Sequence, residues 1–211
     1  VAAPLAERHI HFKPTNTMYI RKPFEITDRT EIDAFIEANA FGQLISLSEG
    51  RLLSTHLPFL LSEDKTTLLG HLALQNPQAS DIQNQEVLVT LQGAHNYISP
   101  TWYLTPGVPT WNYQAVHIYG RCTLFDDTEV LRDLVDALTS RYESELPTQW
   151  NPEYSSGMLK AIVGIEIAMN EVQCQYKLNQ NRSTQDQQHV INQLESNGSH
   201  QLAKAMRANQ K

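Results

Sequence analysis

The sequence predicts an α+β protein built on a small, mostly antiparallel β-barrel with peripheral helices. Three observations carry that prediction. About six strand-length segments alternate apolar and polar residues, short turns join most of them, and only a few segments repeat apolar residues at helical spacing. Closure into a barrel also removes the free edges that so many strands would otherwise expose. With 211 residues, 41% hydrophobic and 18% charged, the chain is long enough to bury one ordinary core.

Residues 1–17, "VAAPLAERHIHFKPTNT", show no clear period and are expected to be a leader or non-core extension. The barrel domain is expected over 18–180, with a C-terminal helical appendage over 181–211. The first helix starts at Asp28, whose carboxylate can cap free amides while Glu31 completes a capping box; Ile32, Phe35 and Ile36 form its apolar stripe. After Gly42, "QLISLS", "RLLSTHLPFLLS" and "TTLLGHLAL" read as a three-stranded meander with turns at Glu49-Gly50 and "SEDK". Pro58 cannot donate to a ladder, so that strand must end at an edge or a bulge.

Asn76-Pro77 then stops the third strand and starts a short helix toward Ile82. "EVLVTLQG" is a strand with Val87, Val89 and Leu91 on one face. "TWNYQAVHIYGRCTLF" is the longest strand, with Trp111, Tyr113, Ala115, His117 and Tyr119 on one side and Asn112, Gln114, Val116 and Ile118 on the other. Asp126 or Asp127 opens a second helix with Val130, Leu131, Leu134, Val135 and Leu138 on its apolar face. "AIVGIEIAMNEVQCQYKL" is a strand whose alternation shifts near Met169-Asn170, the mark of a bulge. "DQQHVINQLESN" and "HQLAKAMRAN" read as short surface helices separated by Gly198.

A net charge of −7 opposes binding to nucleic acid or an anionic membrane. Only residues 177–211 lean basic, with five cations against Asp186 and Glu195, so a nucleic-acid partner has weak support and a solvated helical surface explains the charge. Cys122 and Cys174 lack CxxC spacing and read as free thiols in a reducing compartment. No apolar run is long enough to span a bilayer, and a cytoplasmic location without membrane association is expected.

The sequence has no phosphate loop, dinucleotide fingerprint or nucleophile elbow. His56, His71, His95 and His117 match no metal-ligand spacing, so no metal is expected. Tyr97, Trp102, Tyr103, Trp111, Tyr113 and Tyr119 cluster within 97–119, either capping a core or stacking on a planar ligand. Pro106-Gly107 sets the tip of the connection in "SPTWYLTPGVPTWNY", and Pro100 and Pro109 stiffen its two arms.

The ordered motifs "MYIRKPF", "STHLPFLL", "GHLALQNPQ", "NYISPTWY", "VPTWNYQAVHIYG", "AIVGIEI" and "YKLNQN" resemble the PaiB family, FMN-binding proteins known as negative transcriptional regulators. The resemblance covers about residues 18–206 and departs from the family at Ser54 and Asn179. It implies an FMN-binding split barrel and a homodimer with flavin at the subunit interface. FMN needs a cation and amides for its phosphate, an apolar or aromatic wall, and hydrogen-bonding groups for the pyrimidine edge.

With that resemblance, Lys177 and Arg182 are expected to hold the phosphate, helped by Asn181 and by Thr55 or His71, with Gln180 a further cofactor-binding candidate. Thr55, His56, Leu57 and Pro58 would follow the ring edge, with Asn76 nearby. Trp102, Trp111 and Asn112 would close the site from the partner subunit as an aromatic clamp. The implied function is negative transcriptional regulation as a homodimer; the alternative is an FMN-dependent oxidoreductase, flavin reductase or haem-handling enzyme. No catalytic residue is assigned.

Overall fold

Pro58 and Phe59 decide how the sheet closes. The computed structural model describes residues 18–150 and 153–210; the extension expected over 1–17 lies outside the described residues. In chain order the elements are β1 (Glu25–Ile26), α1 (Arg29–Ala38), β2 (Phe41–Ser48), β3 (Arg51–Pro58), β4 (Leu60–Leu61), β5 (Thr67–Ala73), β6 (Glu86–Ile98), β7 (Thr110–Phe125), α2 (Thr128–Glu143), α3 (Ser156–Leu159), β8 (Ile162–Lys177), α4 (Thr184–Ser196) and α5 (His200–Ala208). Short 3-10 turns occupy Lys22–Phe24, Pro77–Ser80 and Pro100–Trp102.

The strand order is β3-β2-β6-β7-β8-β5-β4, all neighbours antiparallel, with β1 beside β8. β3 and β4 are successive pieces of one segment, so the two ends of the sheet meet. β3 pairs with β2; after Phe59, β4 pairs with β5. Pro58 brings no amide to the ladder, and Phe59, 1% exposed, plugs the core while its own amide donates to the Ala40 carbonyl at 2.9 Å. The result is an α+β split barrel.

The expected meander is present but broken: the segment read as one strand, 51–62, splits at Phe59, its β3 part pairing with β2 and its short β4 part with β5, while most of β5 pairs with β8, with His71 opposite Gly164. The reason is the change of partner at Phe59, which hydropathy alone does not encode. Pro58 does stand at the end of an edge strand, as its missing donor requires.

Other elements follow their local chemistry. Asp28 caps α1 through the amides of Thr30 and Glu31 at 2.9 and 3.2 Å, and Asp127 caps α2 through Glu129 and Val130, both at 3.0 Å. Leu131, Leu134, Val135 and Leu138 of α2 are buried, whereas Val130 is half exposed. The C-terminal helices, expected on the surface, instead bury one face in the barrel's core. Val190, Ile191 and Leu194 of α4 and Leu202, Ala203 and Met206 of α5 join the same cluster as Leu44, Val89 and Ile165. Their stripes are only two turns long, too short to announce burial, yet each presents three apolar residues at adjacent helical positions.

The expected bulge lies in β8. Tyr119 pairs with Glu171 and Gly120 with Met169, leaving Asn170 as the extra residue. At that point the two backbones approach so closely that a Cβ on Gly120 would sit 2.4 Å from the Ala168 carbonyl oxygen. Gly120→Ala should therefore destabilise the protein by about 2 kcal/mol or more, read as a lower urea midpoint. An unchanged midpoint would show that the ladder yields at no cost.

Candidate functional site

Alternation on the strands gives the barrel wall two chemically different sides. Leu44, Thr55, Val89 and Val116 face the core. On the other side, His56, Gln43, Thr90, His117 and Gln173 stand directly opposite one another in register across five strands. Cross-strand neighbours of this kind hold their Cβ atoms about 5 Å apart. His56, Gln43, Thr90 and His117 form the floor of a groove of about 520 Å³ walled by Phe41 and Tyr113, a size ordinary for small-molecule sites.

No lining residue carries a permanent charge. The His56 ring stacks on Phe41 at 6.2 Å and 28° between planes, and Nδ1 of His95 bonds the Gly93 carbonyl at 3.0 Å. Tyr113 donates its hydroxyl to Gln175 Oε1 at 3.1 Å. Burial pushes the His117 pKa down, so its imidazole favours the neutral state. The chemistry on offer is neutral and ambivalent: imidazoles, amides and a hydroxyl that donate or accept, set between rings.

A cation stands at one end. Lys177 lies opposite Tyr113, and its ammonium donates to Thr110 Oγ1 and to the Trp111 carbonyl. Burial lowers its pKa, and among the described residues no carboxylate pairs with it. The ammonium is thus half-buried and bonded to neutral acceptors.

The expected site residues fall into separate places. Thr55 faces inward, donating to Gln78 Oε1 and accepting from Asn76 Nδ2 at 2.9 Å, while Asn76 Oδ1 accepts from the Gln78 amide at 3.0 Å. These polar groups are engaged in holding the 77–80 turn to the sheet. Leu57 is core; His56 and Pro58 are on the outer side. His71 is half-buried on β5, its Nδ1 buried without a partner and its pKa lowered by desolvation. His71 pairs with Gly164 and Tyr113 with Lys177, so His71 and Lys177 stand toward opposite ends of β8, thirteen positions apart along the strand.

The aromatic clamp is also taken apart. Trp102 packs against the core, whereas Trp111 is 55% exposed and meets Tyr97 edge-on at 6.2 Å. Asn112 is fully buried, its Nδ2 3.5 Å from Met206 Sδ and its Oδ1 without a partner, so it belongs to the core beneath α5. Gln180 is folded back on its own turn, accepting from the Leu178 amide at 2.7 Å and donating to the Tyr176 carbonyl; Asn181 is exposed. Arg182 lies 4.1 Å over the Tyr103 ring and donates to the Pro106 carbonyl at 3.2 Å.

Two roles were not anticipated from sequence. Gln43 and Thr90 sit on the groove floor, and strand alternation alone would have put them on a shared face once the pairing was known. Asp186, 1% exposed, accepts from the amides of Leu104 and Thr105 at 2.7 and 3.3 Å and from Thr105 Oγ1 at 2.6 Å. With Arg182 it locks the 103–109 loop to α4. Both cysteines are buried and free, and desolvation pushes each thiol up to about 12, leaving them inert as thiolates.

The closed, partner-switching sheet defines a class by fold, the split barrels. Solved structures share this fold: the flavocytochrome Anf3 from Azotobacter vinelandii aligns with a TM-score of 0.59 at 13% identity, covering 72% of this chain and 69% of that one. A FAD and heme binding protein from Mycobacterium smegmatis aligns with a TM-score of 0.58 at 14% identity, covering 72% and 73%. The family described as "Putative FMN-binding domain" matches residues 18–171. The protease synthase and sporulation protein PAI 2 of Bacillus subtilis is 40% identical over 187 residues, 85% of this chain and 90% of that relative. An uncharacterized protein of Aspergillus fumigatus is 29% identical over 240 residues, covering 86% and 92%. The chain belongs to this FMN-binding family, the PaiB family, and FMN is the cofactor that membership assigns to it.

The loop lock has a pH signature. Its hydrogen bonds, the Thr105 hydroxyl first, hold the Asp186 carboxyl below the usual carboxylate range. Its stabilising contribution is complete above the range where an unfolded aspartate ionises and is lost as pH falls through the depressed folded value. Asp186→Asn should make the urea midpoint less sensitive to acid between about pH 5 and pH 2 than in the unaltered chain. Parallel acid limbs for the two proteins would refute the lock.

Proposed function

We propose that this protein is a homodimeric FMN-binding regulator of transcription whose flavin ring occupies the outer groove and whose Lys177 takes the phosphate. The single observation that carries the flavin placement is the neutral groove ending at an ammonium with no carboxylate partner. Gln43, Thr90 and the imidazoles of His56 and His117 would bond the polar ring edge; Phe41 and Tyr113 would flank the ring; Lys177 would pair with the phosphate. FMN, when bound there, supplies reversible one- and two-electron redox chemistry.

The same face supports the dimer. Leu47 and Leu52 are exposed at one end of the β2–β3 hairpin, and Phe41, Tyr97 and Trp111 are exposed toward the other end of the sheet. A two-fold axis lying in the plane of this face would set it against its copy and bury the exposed apolar residues of the two chains together, the isologous arrangement of a two-fold dimer. With a net charge of −7 the protein is a poor direct ligand for DNA, so regulation would act through a flavin-dependent state passed to a partner. The name of the Bacillus relative, which refers to protease synthesis and sporulation, supports a regulatory role.

One observation favours a second reading, an FMN-dependent oxidoreductase. Three imidazoles line the groove, and imidazole is the side chain that exchanges protons near neutral pH, which flavin reduction and reoxidation require. Anaerobic addition of NADH or NADPH to the FMN-loaded protein separates the readings: bleaching of the flavin band supports the oxidoreductase, and an unchanged band supports the regulator.

The flavin placement has its own test. Lys177→Met should weaken FMN binding about 10- to 100-fold, the value of one charge-assisted contact, while riboflavin, which has no phosphate, binds within about twofold of the unaltered protein. Equal loss for both ligands, or loss for neither, would remove Lys177 from the phosphate site.

A further inference from the structure

We propose that Gln78 is the positioning residue of the outer groove, holding the His56–Gln43 pair in place from behind the sheet. The flavin consequence rests on the placement argued above; the positioning itself rests on geometry alone. Gln78 belongs to the Pro77–Ser80 turn and is fully buried, unusual for a side chain with four hydrogen-bonding positions on its amide. Both donors and the carbonyl oxygen are engaged. Its Nε2 donates to Ser46 Oγ at 2.8 Å and to the Leu44 carbonyl at 3.2 Å, and its Oε1 accepts from the Thr55 hydroxyl. Its backbone amide is fixed by Asn76 Oδ1 at 3.0 Å, and Asn76 in turn bonds Thr55 at 2.9 Å.

The position of these partners gives the amide its role. Leu44 is adjacent in sequence to Gln43, and Thr55 to His56; the two pairs sit opposite each other in the β2–β3 ladder. Because side chains alternate, the inward Leu44 and Thr55 are the reverse side of the outward Gln43 and His56. β3 has β2 as its ladder partner and its other edge is unpaired along 51–58 among the described residues. An edge strand with one neighbour frays more readily than a central one. Gln78 supplies the missing second anchor through side-chain bonds, on the core side, at the level of the groove floor. It touches no groove-lining atom from outside, so it acts only through β2 and β3.

The motifs "STHLPFLL" and "GHLALQNPQ" thereby acquire a physical reason to occur together: Thr55 of one bonds Asn76 and Gln78 of the other.

Three variants test this in the full chain: Gln78→Met, which keeps the shape and removes the amide, and the milder Ser46→Ala and Thr55→Val, which each remove one partner. Amide hydrogen exchange and FMN titration are read on each. The expected result for Gln78→Met is exchange at residues 53–57 at least tenfold faster with the β7 and β8 amides unchanged. FMN and riboflavin affinities should both fall about five- to tenfold, since ring contacts rather than phosphate contacts are disturbed. Ser46→Ala and Thr55→Val should show the same local pattern at smaller size, and they carry the test if Gln78→Met does not fold. Exchange that rises uniformly over all strands, or stays unchanged at 53–57, would overturn the proposal and make Gln78 an ordinary core stabiliser. If the unaltered protein binds no FMN, the flavin placement falls, while the exchange pattern still decides the positioning role.

Discussion

The structure depends on one strand changing partners. Between Arg51 and Leu61 the chain first completes a hairpin with β2 and then, past Phe59, a second pairing with β5. Proline ends the first ladder by lacking a donor, and the buried phenylalanine ring fixes the second by filling the barrel where the two ends of the sheet meet. Closure makes an inside and an outside out of what would otherwise be a flat sheet. The inside takes Leu44, Leu57, Val116 and Ile165; the outside keeps the amides, imidazoles and rings of the groove. The same event leaves β3 with one strand neighbour, which is why a buried glutamine on the 77–80 turn has structural consequence.

Much of this was legible from residues. Asp28 and the Asp126-Asp127 pair announced helix starts, the shifted alternation at Met169-Asn170 announced a bulge, and the 110–125 run announced a long strand; each is a local effect written in a few neighbouring side chains. Alternation also separated Asn112 from Trp111, so their joint place in one cleft conflicted with the strand pattern that placed them. Strand pairing was not legible. That His71 and Lys177 stand at opposite ends of β8, and that His56, Gln43, Thr90 and His117 form one row, follows from which strands are neighbours. The burial of α4 and α5 was hidden for a related reason: each stripe is short, and its burial depends on a barrel surface assembled from distant segments.

Charges near the far end show why residue type alone misleads. Arg182 and Lys177 are five residues apart and look interchangeable as phosphate ligands. Arg182 is spent on the face of Tyr103 and the loop carbonyl of Pro106, close to the buried Asp186. Lys177 is bonded to neutral oxygens only. Family membership establishes FMN as the cofactor, and the different environments of the two cations are why the proposed phosphate contact falls to Lys177.

The most direct measurement is an FMN titration of isotopically labelled protein followed residue by residue by NMR. The account predicts that the largest shifts fall on Gln43, His56, Thr90 and His117, with the Lys177 ammonium moving as phosphate binds. Shifts concentrated on His71 and Asn76, with the outer row unmoved, would contradict it and place the flavin at the seam between β3 and β5.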